Sequence, residues 1–248
     1  MTSPAMYQRL IKLHLPAFRE GLEEQMHNPR YTELPFEDRL AILVELECTR
    51  RKNSRIQRFI KTAAFPISAM VEDIDFSASR GLDRRFFLEL AQGDWITNHL
   101  NLILLGATGT GKTFIASALG HSACRMNFSV RYFRTARLLN QLASASDKDY
   151  IDILHNLARF DLLILDDWMR DPLSLPQAKT ILEVLDDRFG HSSTIVVCQV
   201  PVSDWYARFS DATTGEAILD RLVHNSHRIE LLGESQRKLR AAPSMPTT

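Results

Sequence analysis

The sequence predicts an α/β protein in which a mostly parallel five-stranded sheet, covered by helices on both faces, follows a small all-helical domain. Three observations carry this. From residue 101 onward, five short apolar runs (102–105, 130–133, 162–165, 194–198 and 228–232) alternate with helical segments of about ten or more residues. Strands separated by helices need crossover connections, and so imply parallel pairing with both faces covered. A glycine-rich turn that leads into a helix-forming stretch comes directly after the first run. Before residue 66, by contrast, nothing shows the two-residue alternation of a strand.

Each element has its own sequence basis. Residues 7 to about 64 hold many helix formers and few glycines, and Pro16, Pro29 and Pro35 break them into three helices. The last helix begins near Phe36 and runs to about Ala64, before Pro66. Residues 66–100 carry Pro66, Gly81 and Gly93 among short mixed segments such as 84–90, and read as a connector packed onto the α/β part of the chain. The expected organisation is a helical domain over 1–65, the connector over 66–100, a catalytic core over 101–240 and a disordered tail over 241–248.

Composition narrows the class. With 248 residues, 30 Lys+Arg against 30 Asp+Glu, 45% hydrophobic and 24% charged residues, the chain is an ordinary globular one, which excludes collagen-like and extensively disordered proteins. A net charge of zero argues against coating nucleic acid with the whole surface and leaves room for local basic patches. Cys48, Cys124 and Cys198 lack the spacing of a metal knuckle and read as thiols of a reducing compartment. No secretory leader and no run of about 18 apolar residues occurs, so a soluble cytoplasmic protein without membrane contact is expected.

The strongest chemical signal is Gly106-Ala107-Thr108-Gly109-Thr110-Gly111-Lys112-Thr113, which fits G-x-x-x-x-G-K-[ST] after an apolar run. Such a loop turns backbone N–H groups around phosphate oxygens at a helix N-terminus, with Lys112 reaching the β- and γ-phosphates and Thr113 ligating Mg²⁺. ATP and Mg²⁺ are therefore the expected cofactors. A phosphate loop also needs acids on a neighbouring strand. The run 162–165 ends in Asp166-Asp167, far enough after Lys112 for a helix and another strand to intervene. Asp166 is expected at the metal and Asp167 as the base or water-orienting residue. Many ATPases place Glu there, so the shorter Asp167 predicts slow hydrolysis.

Gln199, ending the fourth run, is placed to sense the γ-phosphate. Arg221 in 217–224 is placed as an arginine finger that reaches the ATP of an adjacent subunit, and Arg237 could contact the γ-phosphate within its own subunit. Competing chemistries are weak. His224 and His227 lack a third metal ligand, and neither a nucleophile elbow nor the guanine-reading N-K-x-D occurs. A metabolite kinase is disfavoured by the finger-like arginine and by a phosphate loop about 100 residues into the chain.

Two basic clusters could contact DNA. Residues 50–61 hold six cations and no acid, and at about 100° per residue Arg50, Arg51, Arg55, Arg58 and Lys61 share one broad helical face. A solvated face and a phosphate-tracking face suit that pattern equally. Arg134 and Arg137, in 131–137, end the second strand and start the next helix, while Tyr132 and Phe133 read as core.

The stretch 195–238, with Gln199-Val200-Pro201-Val202, Trp205, Ile218 through Leu231 and Gly233-Glu234-Ser235-Gln236-Arg237-Lys238, closely resembles the IstB family. These are ATP-dependent helpers of insertion-sequence transposition related to the DnaC helicase loader. Residues 31–40, 72–76 and 80–84 extend the resemblance over nearly the whole chain. It implies an AAA+ fold with strand order 5-1-4-3-2, a ring or spiral homo-oligomer on duplex DNA, and delivery of a bent target to an IstA-type transposase. It matches 106–113 to the nucleotide loop, Asp166 and Asp167 to the acidic pair, Gln199 to the first sensor, Arg221 to the finger and Arg237 to the second sensor. Few residues come after Leu232 for a C-terminal helical lid, a departure that bears on Arg237. A DnaC-like loader gripping single strands is the alternative reading.

Overall fold

A computed structural model describes residues 4–76 and 81–233. Arg237 and the 241–248 tail lie outside the described residues. The chain divides into two compact units, residues 1–58 and 59–248.

In the first unit, α1 (Pro4–Lys12), α2 (Pro16–His27) and most of α3 (Phe36–Ala63) are the helices that the prolines delimit. Pro16 opens α2 at its first position, where the missing N–H costs nothing. The Leu15 cap offers no acceptor, and the orphan amides of Ala17 and Phe18 donate instead to the Glu47 carboxylate of α3, at 3.0 and 3.2 Å. One turn on, Arg51 donates to the other Glu47 oxygen at 3.0 Å and to the His14 carbonyl at 3.2 Å. Burial works to raise the Glu47 pKa, but Arg51 and the two amides outweigh it and hold the carboxyl below its ordinary value. At Gly21 the two helices come so close that a Cβ would meet Leu46 at 2.7 Å and Leu43 at 2.9 Å.

The second unit takes in the end of α3, whose Phe59, Ile60 and Ala63 pack into its core. The connector contains two short helices, α4 (Arg84–Leu90) and α5 (Asp94–Thr97). Beyond it come β1 (Asn101–Gly106), α6 (Lys112–Arg125), β2 (Val130–Arg134), α7 (Thr135–Ala143), α8 (Asp147–Ala158), β3 (Leu162–Trp168), α9 (Leu175–Asp186), β4 (Ser193–Cys198), α10 (Ala212–Val223) and β5 (Ser226–Leu231). All pairs are parallel and the order is β5-β1-β4-β3-β2, as the resemblance implies.

Each of the three central strands, β1, β3 and β4, feeds two cores, because successive side chains point to opposite faces. Leu102, Leu104, Leu162, Ile164, Ile195 and Val197 face Ile115 and Leu119 of α6 together with Phe87 and Trp95 of the connector. Ile103, Leu163, Leu165, Val196 and Cys198 face Leu138 of α7, Leu154 of α8, Ile181 of α9 and Ile218 of α10. The central runs are therefore continuous apolar stretches, as strands buried on both faces must be, while the edge strands β2 and β5 carry polar residues as well. At the N-terminal ends of the strands, Arg188 is only 2% exposed, and its guanidinium donates to the carbonyls of Leu157, Phe160 and Ser193 at 2.6, 2.8 and 2.6 Å. Burial brings its pKa down to about 9, and the bonds close the C-terminus of α8. Among the described residues no helix is long and apolar enough to cross a membrane.

Candidate active site

The turn between β1 and α6 is shaped by glycine. Gly106, Gly109 and Gly111 have φ of 144°, 86° and 97°, and a Cβ on Gly106 would lie 2.4 Å from the Leu231 carbonyl oxygen. Only glycine fits there. Gly111 caps α6 without a side-chain acceptor, so the first N–H groups of this helix remain available to an anion at its positive end. Lys112 is 7% exposed, and its ammonium donates to the carbonyls of Gly106 and Ala107 at 2.7 and 2.8 Å. The loop is thus pulled into a closed cradle. This loop, its glycines and the lysine suit a polyphosphate.

The next strands complete one side of the cradle. The Thr113 hydroxyl donates to Asp166 Oδ2 at 2.7 Å, which joins α6 to the end of β3. Tyr132 of β2 donates to the same oxygen at 2.7 Å, and the Asp167 amide donates to Oδ1 at 2.8 Å. Burial and the Asp166 bond push the Tyr132 phenol well above its ordinary pKa, so it stays protonated and a donor. A hydroxyl facing a carboxylate is a hard-oxygen donor set, which suits Mg²⁺ held by one or two protein oxygens and by phosphate. No group of three or more His, Cys, Asp or Glu gathers among the described residues, so no all-protein metal cage competes. On the other side, the Thr108 hydroxyl donates to Gln199 Oε1 at 2.7 Å and ties the tip after β4 to the phosphate loop.

With the cradle built, similarity to known proteins decides the family. The model of the IstB-like ATP binding protein family matches residues 8–243. The chain belongs to that family. It is 41% identical to the putative insertion sequence ATP-binding protein y4pL of Sinorhizobium fredii, over 93% of this chain and 94% of that one. It is 43% identical to the insertion sequence IS1162 putative ATP-binding protein of Pseudomonas fluorescens, over 82% of this chain and 88% of that one. Among solved structures, DnaI aligns with a TM-score of 0.57 at 18% identity, covering 71% of this chain and 94% of DnaI, a likeness of fold.

Within this IstB-like ATP-binding chain, the remaining sequence-predicted residues fall in three places. Asp167 stands beside Asp166 but turns outward, with its Oδ2 3.8 Å from Arg170 and 4.0 Å from Arg134. Arg221 lies at the other end of the sheet. Its carbonyl accepts from Asn101 at the start of β1, and its guanidinium pairs with Asp186 at the end of α9, donates to the Ala217 carbonyl at 2.9 Å and stacks over Phe189. A strand of this length spans roughly 17 Å, so Arg221 cannot reach the phosphate loop of its own subunit. Arg50, Arg51, Arg55, Arg58 and Lys61 all occupy exposed positions of α3, with Arg51 committed to Glu47, while Arg137 is exposed on the first turn of α7.

Sequence reasoning missed two residues that border the cradle, Tyr132 and Arg170. Tyr132 reads as core, and its ring is indeed buried, yet its hydroxyl serves Asp166; a phenol at a buried strand position is the signal, since buried Tyr hydroxyls need a partner. Arg170 has no motif; Thr108 is expected in the nucleotide loop, but its bond to Gln199 is not.

Proposed function

We propose that this IstB-like chain is an ATP-driven, DNA-remodelling helper of insertion-sequence transposition, working in the bacterial cytoplasm on DNA. With ATP it assembles as a ring or spiral on duplex DNA, bends the target and engages an IstA-type transposase, and hydrolysis dismantles the assembly. Bending a site costs on the order of 1–6 kcal/mol, which repeated phosphate contacts along an oligomer can offset. Supporting the reading are family membership, the insertion-sequence names of the relatives and the geometry of two half-sites.

One observation carries the mechanism: the phosphate cradle lies at the C-terminal ends of the strands and Arg221 at their N-terminal end. Such a subunit holds one half of an active site at each end, and stacking head to tail brings the halves together. Lys112 would exchange the Gly106 and Ala107 carbonyls for β- and γ-phosphate oxygens. Thr113 and Asp166 would hold Mg²⁺, which when bound neutralises developing charge on those oxygens. Asp167 would orient the attacking water and accept its proton, Gln199 would register the γ-phosphate through its link to Thr108, and Arg221 would stabilise the transition state in the neighbouring subunit. Arg237 would act as the second sensor in its own subunit.

Electron microscopy of the full chain with a non-hydrolysable ATP analogue, on duplex and on single-stranded DNA, tests this. Closed or helical assemblies on duplex alone are expected. Assemblies that prefer single strands would turn the reading toward a helicase loader, and monomers under every condition would sink it.

A further inference from the structure

We propose that Asp186 is a positioning residue for the reaction in the neighbouring subunit: it aims the Arg221 guanidinium, so that in the assembly each phosphate cradle meets an arginine already set. The inference rests on the proposed role of Arg221 and adds what holds that arginine ready. Asp186 is the last residue of α9 and Arg221 lies in the last turn of α10, so the contact joins two helices across 35 positions of sequence. Asp186 Oδ1 accepts from Arg221 Nε, and the Ala217 carbonyl accepts from Nη1 at 2.9 Å. The guanidinium carbon lies 5.9 Å from the centroid of the Phe189 ring, within reach of a cation–π contact. Two of the three nitrogens are thus committed inside the subunit, and among the described residues Nη2 donates to none.

The backbone of this arginine is fixed as firmly as its side chain. Asn101, buried at the start of β1, donates from Nδ2 to the Arg221 carbonyl at 2.9 Å, and its Oδ1 accepts from the Thr194 amide of β4 at 2.9 Å. One buried side-chain amide therefore ties α10 to two strands. A long side chain left free would have to be ordered each time a neighbour's transition state forms, whereas one held in advance brings its charge without that entropy cost. Asp186 supplies the restraint at the charged head itself.

The pair is placed for aim rather than for stability. The Arg221 side chain is 28% exposed and that of Asp186 45%, and an ion pair so open to water adds little to folding. A carboxylate that sequestered the arginine would take it through two parallel bonds, the geometry in which such pairs are strongest. Here one carboxylate oxygen takes Nε and leaves Nη2 open. Phe189 is exposed, so the guanidinium rests on an aromatic surface that faces solvent, where a second subunit can approach.

The test measures ATP hydrolysis on duplex DNA, ATP affinity and assembly for Asp186→Ala and Asp186→Asn in the full chain, alone and in equal mixtures with Arg221→Ala or Asp167→Asn. Because a misplacement of about 1 Å can cost about 10²-fold, Asp186→Ala should lower hydrolysis by about 10–100-fold, less than loss of the arginine itself, with ATP affinity and assembly unchanged. Asp186→Asn keeps the size and an acceptor oxygen, so it should retain more activity, and it covers an alanine variant that folds poorly. A folding defect has no preference between the two halves of the site, but a defect of aim has one. Mixed with Asp167→Asn, which donates a well-aimed arginine, Asp186→Ala should recover to roughly a quarter of the wild-type rate, and mixed with Arg221→Ala it should not recover. Wild-type or faster hydrolysis by Asp186→Ala overturns the inference, a faster rate meaning that Asp186 restrains the arginine instead. Recovery with Arg221→Ala, weakened ATP binding or lost assembly overturns it too. If Arg221→Ala and Asp167→Asn fail to complement each other, the finger role falls and this inference with it. If they complement while Asp186→Ala behaves as wild type, the finger role stands and only the inference is lost.

Discussion

Asp166 is the residue on which most of the site converges, since its two carboxylate oxygens accept from Thr113, Tyr132 and the Asp167 amide. Groups that orient a metal-bound carboxylate typically change metal affinity about 10–100-fold when removed. Tyr132→Phe, which deletes one oxygen and keeps the buried ring, is expected to raise the Mg²⁺ concentration needed for half-maximal hydrolysis by about that factor. A Mg²⁺ titration checks it, with ATP binding in EDTA expected to stay unchanged. Asp167→Asn removes the proton acceptor and preserves shape. Hydrolysis should fall by about 10²–10⁴ while ATP affinity stays, as read by single-turnover rates beside a nucleotide-binding titration. The contrast separates two neighbouring carboxylates by role: one variant moves the metal requirement, the other the chemical step.

At the scale of elements, what could be read from sequence was what neighbours in sequence determine. The glycine loop needs only residues 106–113, the three central strands declare themselves as apolar runs because both faces are covered, and Pro16, Pro29 and Pro35 mark helix boundaries through their own backbone chemistry. Contacts between distant residues left no such mark. Tyr132 with Asp166 and Arg221 with Asp186 join residues more than thirty positions apart, and nothing local says which residue each will pair with. The Glu47 cap of α2 is of the same kind, since a glutamate inside a basic helix gives no hint that it will accept from Ala17 and Phe18. It also carries a pH dependence. Because the folded pKa lies below the unfolded one, the carboxylate stabilises the fold fully above the ordinary glutamate range, near 4.5, and that stabilisation fades as acid lowers the pH through the folded value. Glu47→Gln should therefore unfold more readily than wild type at neutral pH, and the two denaturation midpoints should converge at the acid end of a pH series.

For the molecule as a whole, the decisive feature is that the cradle and Arg221 occupy opposite ends of one sheet. If Arg221 serves a neighbour, the defects of two inactive variants complement each other. Arg221→Ala keeps its own cradle and Asp167 but donates no arginine, whereas Asp167→Asn donates an intact arginine to a neighbour from a subunit whose own cradle is inactive. Alone, each should be close to inactive on duplex DNA, since arginine fingers are worth about 10³–10⁵ in rate. Mixed in equal amounts and assembled together, they form some interfaces where an intact cradle faces an intact arginine. Random assembly makes about a quarter of all interfaces competent, because the cradle half and the arginine half are each intact in half of the subunits. Hydrolysis per subunit should then recover to roughly a quarter of the wild-type rate, and it should vanish on dilution below the assembly concentration. A mixture as inactive as its components would show that Arg221 and the cradle do not meet between subunits. An Arg221→Ala variant that hydrolyses normally by itself would return the residue to its visible partner, Asp186, as a purely structural tie between α10 and α9.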